Sequence, residues 1–121
     1  MPDTPSNAAR GAAAETTACA ALVKDGYAIL GRRLRTKLGE IDIVAANAMV
    51  LLFVEVKLRP SLADAAYALG PRQQARLLGA AEILLAEHPA WSRRDTRFDV
   101  IVVNAAGQAR RIKDAFRREA P

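Results

Sequence analysis

Gly39-Glu40-Ile41-Asp42-Ile43-Val44 and Leu51-Leu52-Phe53-Val54-Glu55-Val56-Lys57 decide how the rest of this 121-residue chain is read. Side chains on a strand alternate between faces. On the first stretch that rule places Glu40 and Asp42 together and Ile41 and Ile43 opposite them. On the second it places Phe53, Glu55 and Lys57 on one face and Val54, Val56 and Leu58 on the other. Leu51 to Val54 is apolar on both faces, the pattern of a strand inside a sheet. A carboxylate and an ammonium two residues apart on such a strand must be paired or bound, because burying either alone costs several kcal/mol.

If the two strands are neighbours, Asp42, Glu55 and Lys57 converge on one spot. Adjacent carboxylates repel, and a divalent cation relieves the repulsion. Mg²⁺ is hard, prefers oxygen, and takes one or two carboxylates while leaving positions for water and phosphate. Lys57 would then be a donor to the attacking oxygen or to the scissile phosphate. The plain alternative is a structural Glu55–Lys57 ion pair, which is the better reading of an isolated Glu-x-Lys. Asp42, on a separate strand with matching parity, shifts the balance towards a site.

Outward from this pair, residues 1–7 hold two prolines and read as a disordered tail, followed by one domain over 8–121. Ala8 to Lys24 is Ala-rich and reads as a helix, with Ser6 or Asn7 as N-cap and Gly26 ending it. Gly11, Glu15, Ala18, Cys19 and Leu22 form one stripe on it. Tyr27 to Arg35 reads as a first strand. It runs into Arg32, Arg33, Arg35 and Lys37, a basic cluster placed to meet phosphates, although a solvated hairpin is the alternative. Pro71 suits the first position of a helix over Arg72–Glu87, with Gln74, Leu77, Leu78, Ala81, Leu84 and Leu85 as its buried stripe. Asp64 to Leu69 reads as a short helical turn, Arg97 to Asn104 as a strand, and Gln108 to Ile112 as a short one. His88 reads as a surface imidazole, and Trp91 as a cover for the core.

The residues so far resemble a known core. Gly39-Glu40-Ile41-Asp42 followed by Val54-Glu55-Val56-Lys57 resembles the Asp…Glu-x-Lys signature of the restriction-endonuclease-like nucleases. The likeness is greatest to small bacterial YraN-type proteins, an uncharacterised family described as endonuclease-like and related to archaeal Holliday-junction resolvases. Gly11-x-x-x-Glu15, Gly26-Tyr27-x-Ile29-Leu30, Arg35, Gln74-x-x-x-Leu78, Arg97-Phe98-Asp99-Val100 and Ile112-Lys113-Asp114-Ala115-Phe116 extend the match over most of the chain.

The resemblance implies an α/β fold: a mixed sheet flanked by helices with an αβββαβ core. It implies a Mg²⁺- or Mn²⁺-dependent endonuclease acting on DNA, branched or damaged DNA included. Asp42, Glu55 and Glu15 would hold the metal and Lys57 would serve the attacking water. Arg32, Arg33, Arg35, Lys37 and Gln74 would meet the substrate. For Gln74, a bond to a loop carbonyl stays open as the alternative. Relatives often carry Lys where this chain has Gln73, and a Gly-containing loop near Ala63-Asp64-Ala65. These departures keep a second reading open, a nucleic-acid-binding module that retains the acidic cluster without cutting. An adaptor for a protein partner is a third. Symmetric homodimers occur among the resolvases, but no interface signature appears here.

Composition narrows the classes. With 51% hydrophobic residues the chain supports one core, and its net charge of +5 suits a polyanionic partner. A single cysteine excludes an internal disulfide and a Cys-based zinc site. No apolar run is long enough for a signal peptide or a membrane span, so the expectation is a cytoplasmic protein without a membrane partner.

Overall fold

The computed structural model describes residues 7–63 and 69–117. The expected tail lies outside these residues except for Asn7, at which the first helix opens. Ser6 as N-cap, the turn over 64–69 apart from Leu69, and most of the Ala63-Asp64-Ala65 loop also fall outside them.

The elements are α1 (Asn7–Lys24), β1 (Ala28–Thr36), β2 (Gly39–Ala46), β3 (Val50–Leu58), α2 (Pro71–Glu87), β4 (Asp95–Val103) and β5 (Ala109–Phe116). The expected αβββαβ order is present. The strands form one mixed sheet in the order β1-β2-β3-β4-β5. β1, β2 and β3 are antiparallel neighbours, β3 and β4 run parallel, and β5 returns antiparallel to β4. The parallel pair needs a crossover, which α2 supplies. β3 is therefore central, as its run of apolar residues demands.

Each face of the sheet is covered by one helix. Ala14, Ala18 and Leu22 of α1 pack on Ile43, Ala45, Leu52, Val54, Ile101 and Val103. Leu77, Ala80, Ala81 and Leu84 of α2 pack on Ile41, Val44, Ala46, Leu51, Phe53 and Phe98, with Phe116 closing the end. Small alanines on both helices let them lie close to a sheet rich in Val, Ile and Leu. Cys19 is half-buried against the α1-side cluster, where burial pushes its thiol up. Trp91 packs beside the α2 cluster, stacked on His88 with ring centroids 3.9 Å apart.

Strict alternation fails at one place. Ile41 belongs to the α2-side cluster and Ile43 to the α1-side cluster, although parity puts them on one face. The cause lies across the β1–β2 pair. Arg33 adopts a left-handed backbone (φ 51°) opposite this point, and the paired register passes from Arg32–Ile43 to Leu34–Ile41. An L-residue there costs about 1–2 kcal/mol, so the twist must be held by other contacts. β5 is longer than expected, because its exposed Arg110, Lys113 and Asp114 hide the alternation of an edge strand.

Candidate metal and phosphate site

The irregularity at Arg33 and Asp42 creates the site. Pairing between β2 and β3 runs from Ala46–Leu51 to Ile43–Val54 and then stops. Beyond it Asp42 Oδ2 accepts the Val56 backbone N–H at 2.8 Å, so a carboxylate stands where a ladder carbonyl would be. The splayed strand ends leave a cleft of about 290 Å³ lined by Gly39, Glu40, Asp42 and Glu55 from the sheet and Gln73, Arg76 and Leu77 from α2. A larger apolar groove of about 570 Å³ opens between α1 and the ends of β3 and β4, away from these acids.

Within the cleft Asp42 is pushed up to about 7. Burial is the largest cause and the Glu55 charge the next. The Val56 N–H opposes them, while a hydrogen bond with Glu55 and the more distant Glu15 charge add to the rise. Asp42 therefore holds its proton to higher pH than an ordinary carboxyl. Lys57 Nζ stands 3.2 Å from Glu55 Oε1, and Gln73 Nε2 donates to the same oxygen at 3.1 Å. Among the described residues one ammonium and one neutral amide thus reach Glu55, beside its hydrogen bond with Asp42.

The other residues singled out in the sequence divide. Glu15 is on the buried stripe of α1, with its side chain 11% exposed, but Arg33 Nε donates to both its oxygens at 3.0 and 3.1 Å. Arg32 reaches Thr16 Oγ1 at 3.3 Å, and Arg35 reaches Glu40 at 3.6 Å while 88% exposed. Lys37 is exposed at the tip of the β1–β2 hairpin. Gln74 Nε2 donates to the Leu69 carbonyl at 3.0 Å, the structural alternative, and it is the neighbouring Gln73 that donates to Glu55. Arg76 was not singled out in the sequence. Its spacing of three from Gln73 is the signal that places both on one helix face.

Among the described residues no three acidic, His or Cys side chains form a ready-made metal cage. Two neighbouring carboxylates beside an open cleft do suit Mg²⁺ or Mn²⁺, which bind through one or two carboxylates and keep several waters. Asp42 and Glu55 fit that requirement; Glu15, occupied by Arg33, does not meet them directly.

A sequence profile of Uncharacterised protein family UPF0102 matches residues 14–103, from α1 to the end of β4. The chain belongs to that family. It is the YraN-type family towards which the strand motifs point, and the acidic cleft lies wholly within the matched region. A UPF0102 protein of Granulibacter bethesdensis is 59% identical over 107 residues, covering 88% of this chain and 68% of the relative. One from Azorhizobium caulinodans is 46% identical over 124 residues, covering 98% and 95%, and one from Acidiphilium cryptum is 43% identical over 112 residues, covering 93% and 87%. No helix among the described residues is long and apolar enough to cross a membrane.

Proposed function

We propose that this UPF0102 chain is a divalent-metal-dependent endonuclease that hydrolyses phosphodiester bonds in DNA. The observation that carries the reading is the Asp42–Glu55 pair: two carboxylates on diverging strands, short of positive charge, open to a cleft and attended by Lys57. A nucleic acid is the polyanion that a protein of net charge +5 suits best, with branched or damaged DNA the preferred form on the family resemblance.

Asp42 and Glu55 would hold Mg²⁺ or Mn²⁺, with Glu15 acting through water because Arg33 occupies its carboxylate. When bound, the ion supplies positive charge to the scissile phosphate and lowers the pKa of water. The residues of the chain do the rest. Val56 N–H fixes the orientation of Asp42, and Gln73 that of Glu55. Lys57 has three donors, so it keeps Glu55 while directing another N–H at the attacking oxygen or the phosphate. Arg35 and Lys37, exposed at the hairpin tip, would supply positive charge to the DNA backbone. A second reading, a binding module that does not cut, is favoured by Gln73, which brings a neutral amide to Glu55 where relatives often have Lys.

The test is a cleavage panel of single-stranded, duplex and four-way DNA with Mg²⁺ or Mn²⁺, run beside Glu55→Gln and Lys57→Met. We expect metal-dependent cleavage in the wild type alone. Glu55→Gln should bind DNA at least as tightly as wild type in chelator, because it removes a charge that opposes phosphate. Binding in all proteins with cleavage in none supports the second reading.

A further inference from the structure

The cations around the cleft are not equally free. Arg33 is bound to Glu15, Lys57 to Glu55, and Arg35 reaches Glu40. Arg76 lines the same cleft from α2, yet its guanidinium makes no hydrogen bond or ion pair with any described residue. A structural counter-ion would be bonded to one of the three acids in the cleft wall. Its placement is also constrained. Gln73, three residues earlier on the helix, donates to Glu55, so this face of α2 looks at the carboxylates. On the other side lies Gly39: a methyl group added there would stand 3.8 Å from the Arg76 Cβ. The side chain therefore starts beside the hairpin at Gly39, and the residue is exposed.

We propose that Arg76 is a substrate-binding residue that takes a backbone phosphate beside the Asp42–Glu55 pair. The inference rests on the nuclease reading and names a contact within it. A phosphate approaching two carboxylates is repelled, and Lys57 divides its donors between Glu55 and the reacting group. Arg76 offers at the same cleft a charge that no described acid claims, and a planar fork that matches two phosphate oxygens at once. Lysine in its place would keep the charge and lose the fork.

The test is the affinity of wild type, Arg76→Gln and Arg76→Lys for a short DNA duplex in chelator, between roughly 50 and 200 mM salt. Melting shifts with Mn²⁺ are measured on the same proteins and on Asp42→Asn. Arg76→Gln should bind roughly tenfold more weakly, and its log–log salt slope should be shallower by about 0.9, the value for one lost phosphate contact. Arg76→Lys should keep the wild-type slope and recover only part of the affinity. Both Arg76 variants should keep the full Mn²⁺ shift. Wild-type affinity and slope in Arg76→Gln would overturn the assignment while leaving the nuclease reading in place, and so would loss of its Mn²⁺ shift. A full Mn²⁺ shift in Asp42→Asn would instead remove the metal reading, and this inference with it.

Discussion

Asp42 and Asp99 are carboxylates of the same sheet, and their surroundings could hardly differ more. Asp99, on β4, has a side chain with 0% exposure. Arg111 Nε donates to it at 2.9 Å, Arg97 Nη2 at 3.4 Å and the Asp114 backbone N–H at 2.8 Å. Arg111 also pairs with Asp25 at 2.7 Å and lies over the Tyr27 ring, tying β5 to the loop after α1. Asp42 has the Val56 N–H, a second carboxylate as neighbour and an open cleft. Burial of an acid is thus not what marks a site in this molecule. The mark of the candidate site is a half-buried acid that no described cation pairs with.

That contrast gives opposite signs to the same substitution. Asp99→Asn strands two guanidinium groups that face its carboxylate, and should lower unfolding stability by about 3–5 kcal/mol in a denaturant titration. Asp42→Asn removes a repulsion, and should raise stability at pH 8 by about 1–3 kcal/mol. Losses of similar size in both would mean that Asp42 is as well paired as Asp99.

The pH dependence sharpens the same point. The folded Asp42 carboxyl is pushed up to about 7 from its ordinary 3.8, so between these values the native state binds more protons than the unfolded one. Its contribution to stability therefore falls as pH rises through that window. The ceiling is about 4 kcal/mol from the size of the shift, lowered by screening from water in the cleft. Asp42→Asn should flatten the profile of melting temperature against pH between 4 and 7. An unchanged slope would place the retained proton elsewhere.

The smallest effect concerns backbone strain. Each acid has a left-handed residue nearby, Arg33 (φ 51°) across from Asp42 and Asp114 (φ 55°) beside Asp99. Arg33→Gly and Arg33→Ala both lose the Glu15 pair, but only glycine relieves the strain. The glycine variant should be the more stable by about 1 kcal/mol, the reverse of its usual ranking in a strand. Alanine equal to or better than glycine would refute a strained Arg33.

What could be read in the sequence follows from how local each signal is. Pro71 and the leucines of α2 mark that helix within one segment, and the parity of Asp42, Glu55 and Lys57 brings them together once a hairpin joins β2 and β3. The break in alternation between Ile41 and Ile43 could not be read, because nothing in an arginine announces a left-handed backbone at Arg33. The Asp99 network was equally hidden: Tyr27 and Arg111 are 84 residues apart, and the bond between them is a product of folding. Arg35 and Lys37 reach the surface as their run of cations suggests, whereas Arg33 is withdrawn to Glu15, which a count of charges could not foresee.

The most direct test is calorimetric titration of Mn²⁺ into the wild type and Asp42→Asn at pH 6 and pH 8, in buffers of different ionisation enthalpy. If Asp42 and Glu55 are a metal site short of positive charge, the incoming ion must displace the retained proton. We expect wild-type affinity to be higher at pH 8 than at pH 6, proton release on binding at pH 6, and loss of most affinity in Asp42→Asn. Binding to Asp42→Asn with wild-type affinity, or wild-type binding that neither varies with pH nor releases a proton, would contradict it.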